Sequence, residues 1–205
     1  MPTPRPGNRT LDSGSIERSD VSERVRIRRL TTTDLTAAEL IAVRELMDIA
    51  FADDADEALG DDDWQHALGG VHVVLDVDGV IVAHASVVER DIHIAGQPLR
   101  TGYVEAVATA PDHQDRGFGT QVMEAIGGVI QAHFELGVLG TGRHHFYERL
   151  GWQTWQGPAF LRTADGDQRT QDEEGYLLVL LTSSSPVGID LTAPISCEWR
   201  PGDVW

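Results

Sequence analysis

Apolar residues recur along this chain with two periods, and the switches between them mark its elements. Residues 25–30 (Val-Arg-Ile-Arg-Arg-Leu) alternate, which predicts a first strand. Asp34 then reads as the N-cap of a helix to about residue 50, with Leu40, Val43, Leu46, Met47 and Ala50 on one stripe. Residues 71–77 and 80–90 flank Asp78-Gly79, a hairpin signal. A short strand at 92–94 and a Gly96-Gln97-Pro98 turn lead to a central strand over 103–109, where regular alternation puts Tyr103, Glu105 and Val107 on one face. Phe118, Val122, Ile126, Val129 and Ile130 predict a helix over 118–134. Gly127-Gly128 inside it costs on the order of 1 kcal/mol per residue against Ala, which points to close packing there. A buried strand at 136–141, a short helix at 142–150 closed by Gly151, and strands at 152–155 and 176–182 complete the pattern. The segment 195–205 ends on Trp205 and reads as packed.

The remaining stretches are polar. Residues 1–24 read as a disordered arm, and 52–63 and 162–175 as acidic loops. There are no internal repeats. The order of elements predicts one α/β domain over 25–205, a mixed sheet with helices on both faces.

Charge narrows the chemistry. The net charge is −17 and every basic residue is Arg, so a Schiff-base lysine and a Walker lysine are excluded. Such acidity argues against nucleic acid and favours a cationic ligand. No apolar run is long enough for a membrane span, and no signal core opens the chain; cytoplasm is the expectation. Cys197 is the single cysteine and reads as structural. Residues 52–63 lack the spacing of a calcium loop, and His66, His72, His84, His93, His113, His144 and His145 show no metal-ligand spacing, so no metal is expected. Trp64 and Trp155 read as cleft wall or core.

The glycines of Gln114-Asp115-Arg116-Gly117-Phe118-Gly119 sit where a strand hands over to a helix. Such a turn exposes backbone N–H groups at the positive end of the helix dipole, a place that binds pyrophosphate. The spacing is neither a Walker loop nor the dinucleotide fingerprint. Gln114, Gly117 and Gly119 resemble the Q/R-x-x-G-x-G/A acyl-CoA loop of the GCN5-related N-acetyltransferases, and Phe146-Tyr147-Glu148-Arg149-Leu150-Gly151-Trp152 resembles their Phe-Tyr-x-x-x-Gly-Phe/Trp segment. Residues 63–72, 102–107 and 197–205 are similar to the actinobacterial aminoglycoside 2′-N-acetyltransferases, a likeness running from about Val25 to Trp205.

That resemblance implies the GCN5-related fold, with a central, mostly antiparallel sheet, and acetyl-CoA as co-substrate held by Val107, Ala108, Thr109, Gln114, Asp115, Arg116, Gly117, Phe118, Gly119 and Thr120. It also implies a backbone N–H near Val107, beside a bulge, that polarises the thioester, and a homodimer. The reaction needs a base for the incoming amine, and Glu105, half-buried on the central strand, is suited to it, directly or through a water. Tyr147 is suited to protonate the departing thiolate. The family's substrate-binding acids map to Asp54, Asp63 and Glu173. Glu105, Gly140 and the carboxylate of Trp205 complete the substrate set. Glu173 stands where relatives carry Asp, and the chain is about two residues shorter around Gly140-Thr141-Gly142, which puts the drug profile in question. The same chemistry on another polyamine or amino sugar, and a non-catalytic acyl-CoA sensor, are the alternatives.

Overall fold

A computed structural model describes residues 23–52 and 60–205. Among these residues ten strands share one sheet. In chain order they are β1 (Val25–Thr31), β2 (Val71–Val77), β3 (Val80–Ile94), β4 (Gln97–Thr109), β5 (Leu136–Gly140), β6 (Gln153–Thr154), β7 (Ala159–Thr163), β8 (Gly166–Arg169), β9 (Leu177–Leu181) and β10 (Ile195–Glu198). Among the described residues four α-helices accompany them: α1 (Ala37–Ala50), α2 (Asp61–His66), α3 (Phe118–His133) and α4 (His144–Glu148). The sheet runs β6-β9-β5-β4-β3-β10-β7-β8, and β1 joins through β2 on β3. β3 is the spine: β4 pairs along one of its edges, and β2 then β10 share the other.

Side-chain alternation decides which helix covers which face. Val73, Leu75, Ala83 and Ala85 face α3, meeting Phe118, Val122, Met123, Ile126 and Ile130. The opposite parity carries Val74 to Val43 of α1, and Ala106 and Ala108 to Leu46 and Met47. Each such large apolar side chain contributes about 1.5–3 kcal/mol on full burial. Gly128 of α3 lies against Arg29, whose Nη2 is 3.3 Å from where a Cβ would sit, while Gly127 keeps ordinary clearance from Leu180.

Several predicted boundaries shift, each for a local reason. α1 starts at Ala37 because Thr36, not Asp34, caps it through a reciprocal box with Glu39; Asp34 closes the preceding single turn by accepting from the Thr31 N–H (3.0 Å). β3 runs unbroken to Ile94. The turn after it is Ala95-Gly96, both at positive φ (49° and 78°), so Gln97 and Pro98 already belong to β4. The acidic stretch ends in α2 rather than in loop. Residues 162–175 are not a loop throughout: β7 and β8 form a hairpin there, followed by a helical turn at Gln171–Glu173. The predicted arm falls largely outside the described residues, as does Asp54 of the predicted substrate set.

Candidate active site

Two departures from regular pairing open β4 to chemistry. Its parallel ladder with β5 lasts three pairs, from Thr101–Leu136 to Tyr103–Val138, after which the two strands part. On the other edge the register with β3 slips: Ser86 faces Glu105 but His84 faces Ala108, leaving Ala106 and Val107 without partners. This is a β-bulge, and Ala106 takes φ +51°, a left-handed conformation that costs a residue with a Cβ about 1–2 kcal/mol. The extra residue reverses the alternation. Val104 and Val107 both join the α3 core, and Ala106 and Ala108 face α1. Val107 therefore does not share the face of Glu105, as unbroken alternation required.

Past the end of β4 the chain makes a helical turn at Pro111–His113 and enters α3 through Asp115 (φ 58°) and Gly117 (φ 78°), both left-handed. The first bond of α3 joins the Gln121 N–H to the Gly117 carbonyl (3.1 Å), so Phe118, Gly119 and Thr120 keep N–H groups without an acceptor in the helix. Among the described residues no side chain caps this end. Gly119 is hemmed in by Thr109 Oγ1, 3.2 Å from its Cβ position, and by the Phe146 ring at 3.6 Å, which brings the end of β4, the loop and α4 together. Gln114 donates to the Thr109 carbonyl (3.3 Å) and Arg116 pairs with Glu23. Three outward N–H groups on a positive dipole end, backed by a glycine, fit a pyrophosphate. Tyr147 lies in the α3 core, edge-on to Phe146 (4.9 Å between centroids) and to Trp152 (6.3 Å). His145, two residues earlier, is exposed.

The C-terminal segment crosses the parted strands and meets Glu105. Arg200 Nη1 donates to Glu105 Oε1 (2.7 Å), and its Nε donates to the Asp203 carbonyl (2.8 Å). Glu105 keeps 15 % of its side chain exposed. Burial pushes its pKa above the usual carboxylate value, and the Arg200 charge and hydrogen bond oppose that rise. Arg90 ties down the segment, donating to the carbonyls of Val204 (2.9 Å) and Glu198 (3.3 Å). Asp63 accepts from the Asp203 N–H (2.7 Å) and the Gly60 N–H (3.0 Å); burial works against its ionisation, but these bonds hold its pKa below the ordinary value. Gly202, at φ 75°, fits against Asp63, whose Oδ1 is 2.5 Å from its Cβ position. Trp205 is buried, its indole N–H bonded to Thr170 Oγ1 (3.0 Å) and its main-chain carbon 3.8 Å from the Cβ position of Gly140. The hydroxyl of fully buried Tyr103 reaches the same point and has no hydrogen-bond partner among the described residues. Glu173 is pushed up by burial and by the charges of Asp203 and Asp172.

The predicted residues Glu105, Asp63, Gly140, Glu173 and Trp205 thus gather around one segment, and Val107 to Thr120 form a second edge. A family model for the acetyltransferase (GNAT) domain matches residues 28–155. The chain belongs to the GNAT acetyltransferase family. Its activity is accordingly acetyl-CoA-dependent N-acetyl transfer. An aminoglycoside 2′-N-acetyltransferase of Mycolicibacterium fortuitum is 38 % identical over 182 residues, 87 % of this chain and 91 % of that one. In fold it is similar to the GNAT family N-acetyltransferase YhbS of Escherichia coli in complex with CoA (TM-score 0.62, 15 % identity, 87 % and 92 % of the two chains). It is also similar to a Brucella melitensis GNAT acetyltransferase in complex with acetyl-CoA (TM-score 0.57, 17 % identity, 82 % and 94 %).

Arg200, Asp203 and Tyr103 did not emerge from sequence as site residues. The Pro201-Gly202 pair that turns Arg200 and Asp203 toward one another was the available signal. Cys197 is buried, and burial pushes its thiol up to about 11, which removes it as a nucleophile. Trp155 is core, its indole N–H on the Ala193 carbonyl, and Trp64 packs against the Val43 cluster. Among the described residues no group of three or more His, Cys, Asp or Glu is placed to hold a metal ion.

Proposed function

We propose that the protein transfers the acetyl group of acetyl-CoA directly to the 2′-amine of aminoglycosides within a ternary complex. The observation that carries this reading is a mostly buried carboxylate, Glu105, at the point where β4 leaves β5, facing a segment lined with further acids. Identity of 38 % to an aminoglycoside 2′-N-acetyltransferase supports the substrate class. An aminoglycoside brings several ammonium groups, which Glu173, Asp203 and Asp63 attract; Asp54 joins them on the resemblance alone.

Bound acetyl-CoA supplies a thioester carbonyl open to attack and a thiolate leaving group. Phe118, Gly119 and Thr120 N–H hold its pyrophosphate. Glu105, directly or through a water, takes the proton of the amine, whose nitrogen bonds to the thioester carbon. The Val107 N–H stabilises the charge gathering on the thioester oxygen. Tyr147 gives its phenolic proton to sulfur as the C–S bond breaks, and regains one from solvent. Gly140 and the main-chain end of Trp205 border the drug. A homodimer and a cytoplasmic setting accompany this reading; light scattering of the purified chain tests the first and fractionation of the cell the second.

The experiment is release of free CoA with a panel of aminoglycosides carrying either an amine or a hydroxyl at the 2′ position. Turnover confined to the 2′-amino drugs is expected. Tight acetyl-CoA binding with no turnover on any of them refutes the substrate class.

A further inference from the structure

Behind the bulge lies a buried polar chain that the reaction steps above do not use. The Gly69 N–H donates to Thr32 Oγ1 (2.8 Å), Thr32 Oγ1 meets His72 Nε2 (2.8 Å), His72 Nδ1 meets His84 Nε2 (2.9 Å), and His84 Nδ1 meets the Ala106 carbonyl (2.8 Å). Both histidines are fully buried. The acceptor at the end settles every tautomer. A carbonyl can only accept, so His84 carries its proton on Nδ1. Its Nε2 must then accept from His72 Nδ1–H, and His72 Nε2 accepts the Thr32 O–H. Every donor points the same way, from Gly69 to Ala106. Burial holds both rings neutral, pushing His72 down to about 4 and His84 to about 3.

The Ala106 carbonyl and the Val107 N–H belong to one peptide. That unit is planar and trans, so its C=O and N–H point in opposite directions. With the carbonyl held by the His84 ring, the N–H points away from that ring, on a stretch of β4 that no longer pairs with β5. We propose that His84, backed by His72 and Thr32, is a positioning residue that aims the Val107 N–H by pinning the Ala106 carbonyl. The proposal rests on the role given above to that N–H. Two apolar side chains here would spare the fold the burial of imidazoles. What they could not supply is a donor for the carbonyl of a strained, unpaired residue, without which the peptide is free to flip.

The test is the stretch of a ¹³C-labelled thioester carbonyl in acetyl-CoA bound to the full chain, read by infrared difference, beside kcat, the acetyl-CoA Kd and Tm. The expected result is a stretch lowered on binding to the wild type, relaxed toward the free value in His84→Ala and lowered again in His84→Asn. The Asn amide nitrogen replaces Nδ1 in space, whereas Gln reaches the Nε2 position, so His84→Gln is expected to behave like Ala. Loss of an oxyanion donor ordinarily costs about 10²–10³ in kcat; His84→Ala is expected to lose about 10–10²-fold, and Asn to stay within about threefold of wild type. An unrelaxed stretch in Ala, or Asn and Gln alike, overturns the proposal; should Ala not fold, Asn against Gln decides. A wild-type stretch that does not move on binding removes the role of Val107, and the proposal with it. Imidazole ¹⁵N shifts give a readout without ligand: both rings are expected as Nδ1–H tautomers, and an Nε2–H tautomer at His84 overturns the proposal.

Discussion

Replacing Arg200 by Gln tests the link between the C-terminal segment and the carboxylate of Glu105. The guanidinium lies 2.7 Å from Glu105 Oε1, and both side chains are mostly buried, at 13 % and 15 % exposure. Removing one member of such a pair ordinarily costs about 3–5 kcal/mol when the other charge stays in place. Glu105 has a way to avoid that cost, because it can take up a proton. Burial already pushes its pKa up and Arg200 pulls it back. Without Arg200 the pull is lost, so the pKa rises further and Glu105, the proposed base, is protonated over more of the pH range. The acid limb of kcat/KM is therefore expected to move to higher pH. The sign for stability follows from linkage. A carboxyl whose folded pKa lies above its unfolded value favours the fold at low pH and loses that contribution as pH rises through the folded pKa. Arg200→Gln should thus be most destabilised at neutral pH and approach the wild type on acidification. The assays are a pH–rate profile of CoA release and denaturant unfolding at several pH values. An unmoved acid limb, or a deficit that grows toward low pH, refutes the coupling.

Glu105→Gln keeps an acceptor for Arg200 but cannot take a proton and leaves the guanidinium charge unpaired, so kcat/KM should fall about 10²–10⁴-fold and Tm should fall as well; a loss of kcat/KM under about threefold at neutral pH would retire Glu105 as the base. Tyr147→Phe keeps the ring contacts with Phe146 and Trp152 and should lower kcat by about 10–10²-fold while sparing acetyl-CoA affinity, with an unchanged kcat counting against the phenol. His72 and His84 are held neutral, with pKa values of about 4 and about 3. Their unfolded forms bind protons first, so stability should fall as pH drops from about 6.5 toward those values, by up to about 1.4 kcal/mol per pH unit for each ring. Denaturant unfolding at pH 7 and pH 5 reads this, and the dependence should flatten in His84→Asn. Gly202→Ala forces a Cβ to 2.5 Å from Asp63 Oδ1 at a left-handed φ, which alone costs about 1–2 kcal/mol. It should raise the drug KM and leave the CoA Kd unchanged; equal effects on both would show the segment to be general scaffolding.

Local pattern was enough for much of this protein because the signals concerned are short-range. Period-2 and period-3.6 runs disclosed β1 to β5, α1 and α3; Asp78-Gly79 disclosed the hairpin; two glycines after Gln114 marked the entry to α3. The failures have local causes as well. Thr36 with Glu39 formed a better cap than Asp34, and the acidic composition of 61–66 and 162–169 hid a helical turn and a hairpin that tertiary contacts stabilise. His72 and His84 also had a signal: once Asp78-Gly79 sets the hairpin, both fall on its α1 face.

What the chain alone determined was therefore the class of fold, the two edges of the site and the residue types available there, because each depends on spacing along a single element. What only the tertiary structure decided was pairing across elements. The bulge at Ala106 is a mismatch between two strands, invisible in either, and it turns Val107 away from the face of Glu105. Arg200 meets Glu105 across 95 positions, and four hydrogen bonds from Gly69 to Ala106 reach across three strands. Contacts of that kind form only once the sheet has brought distant residues together, and in this protein they give the Glu105 carboxylate its Arg200 partner and the Ala106 carbonyl its His84 donor.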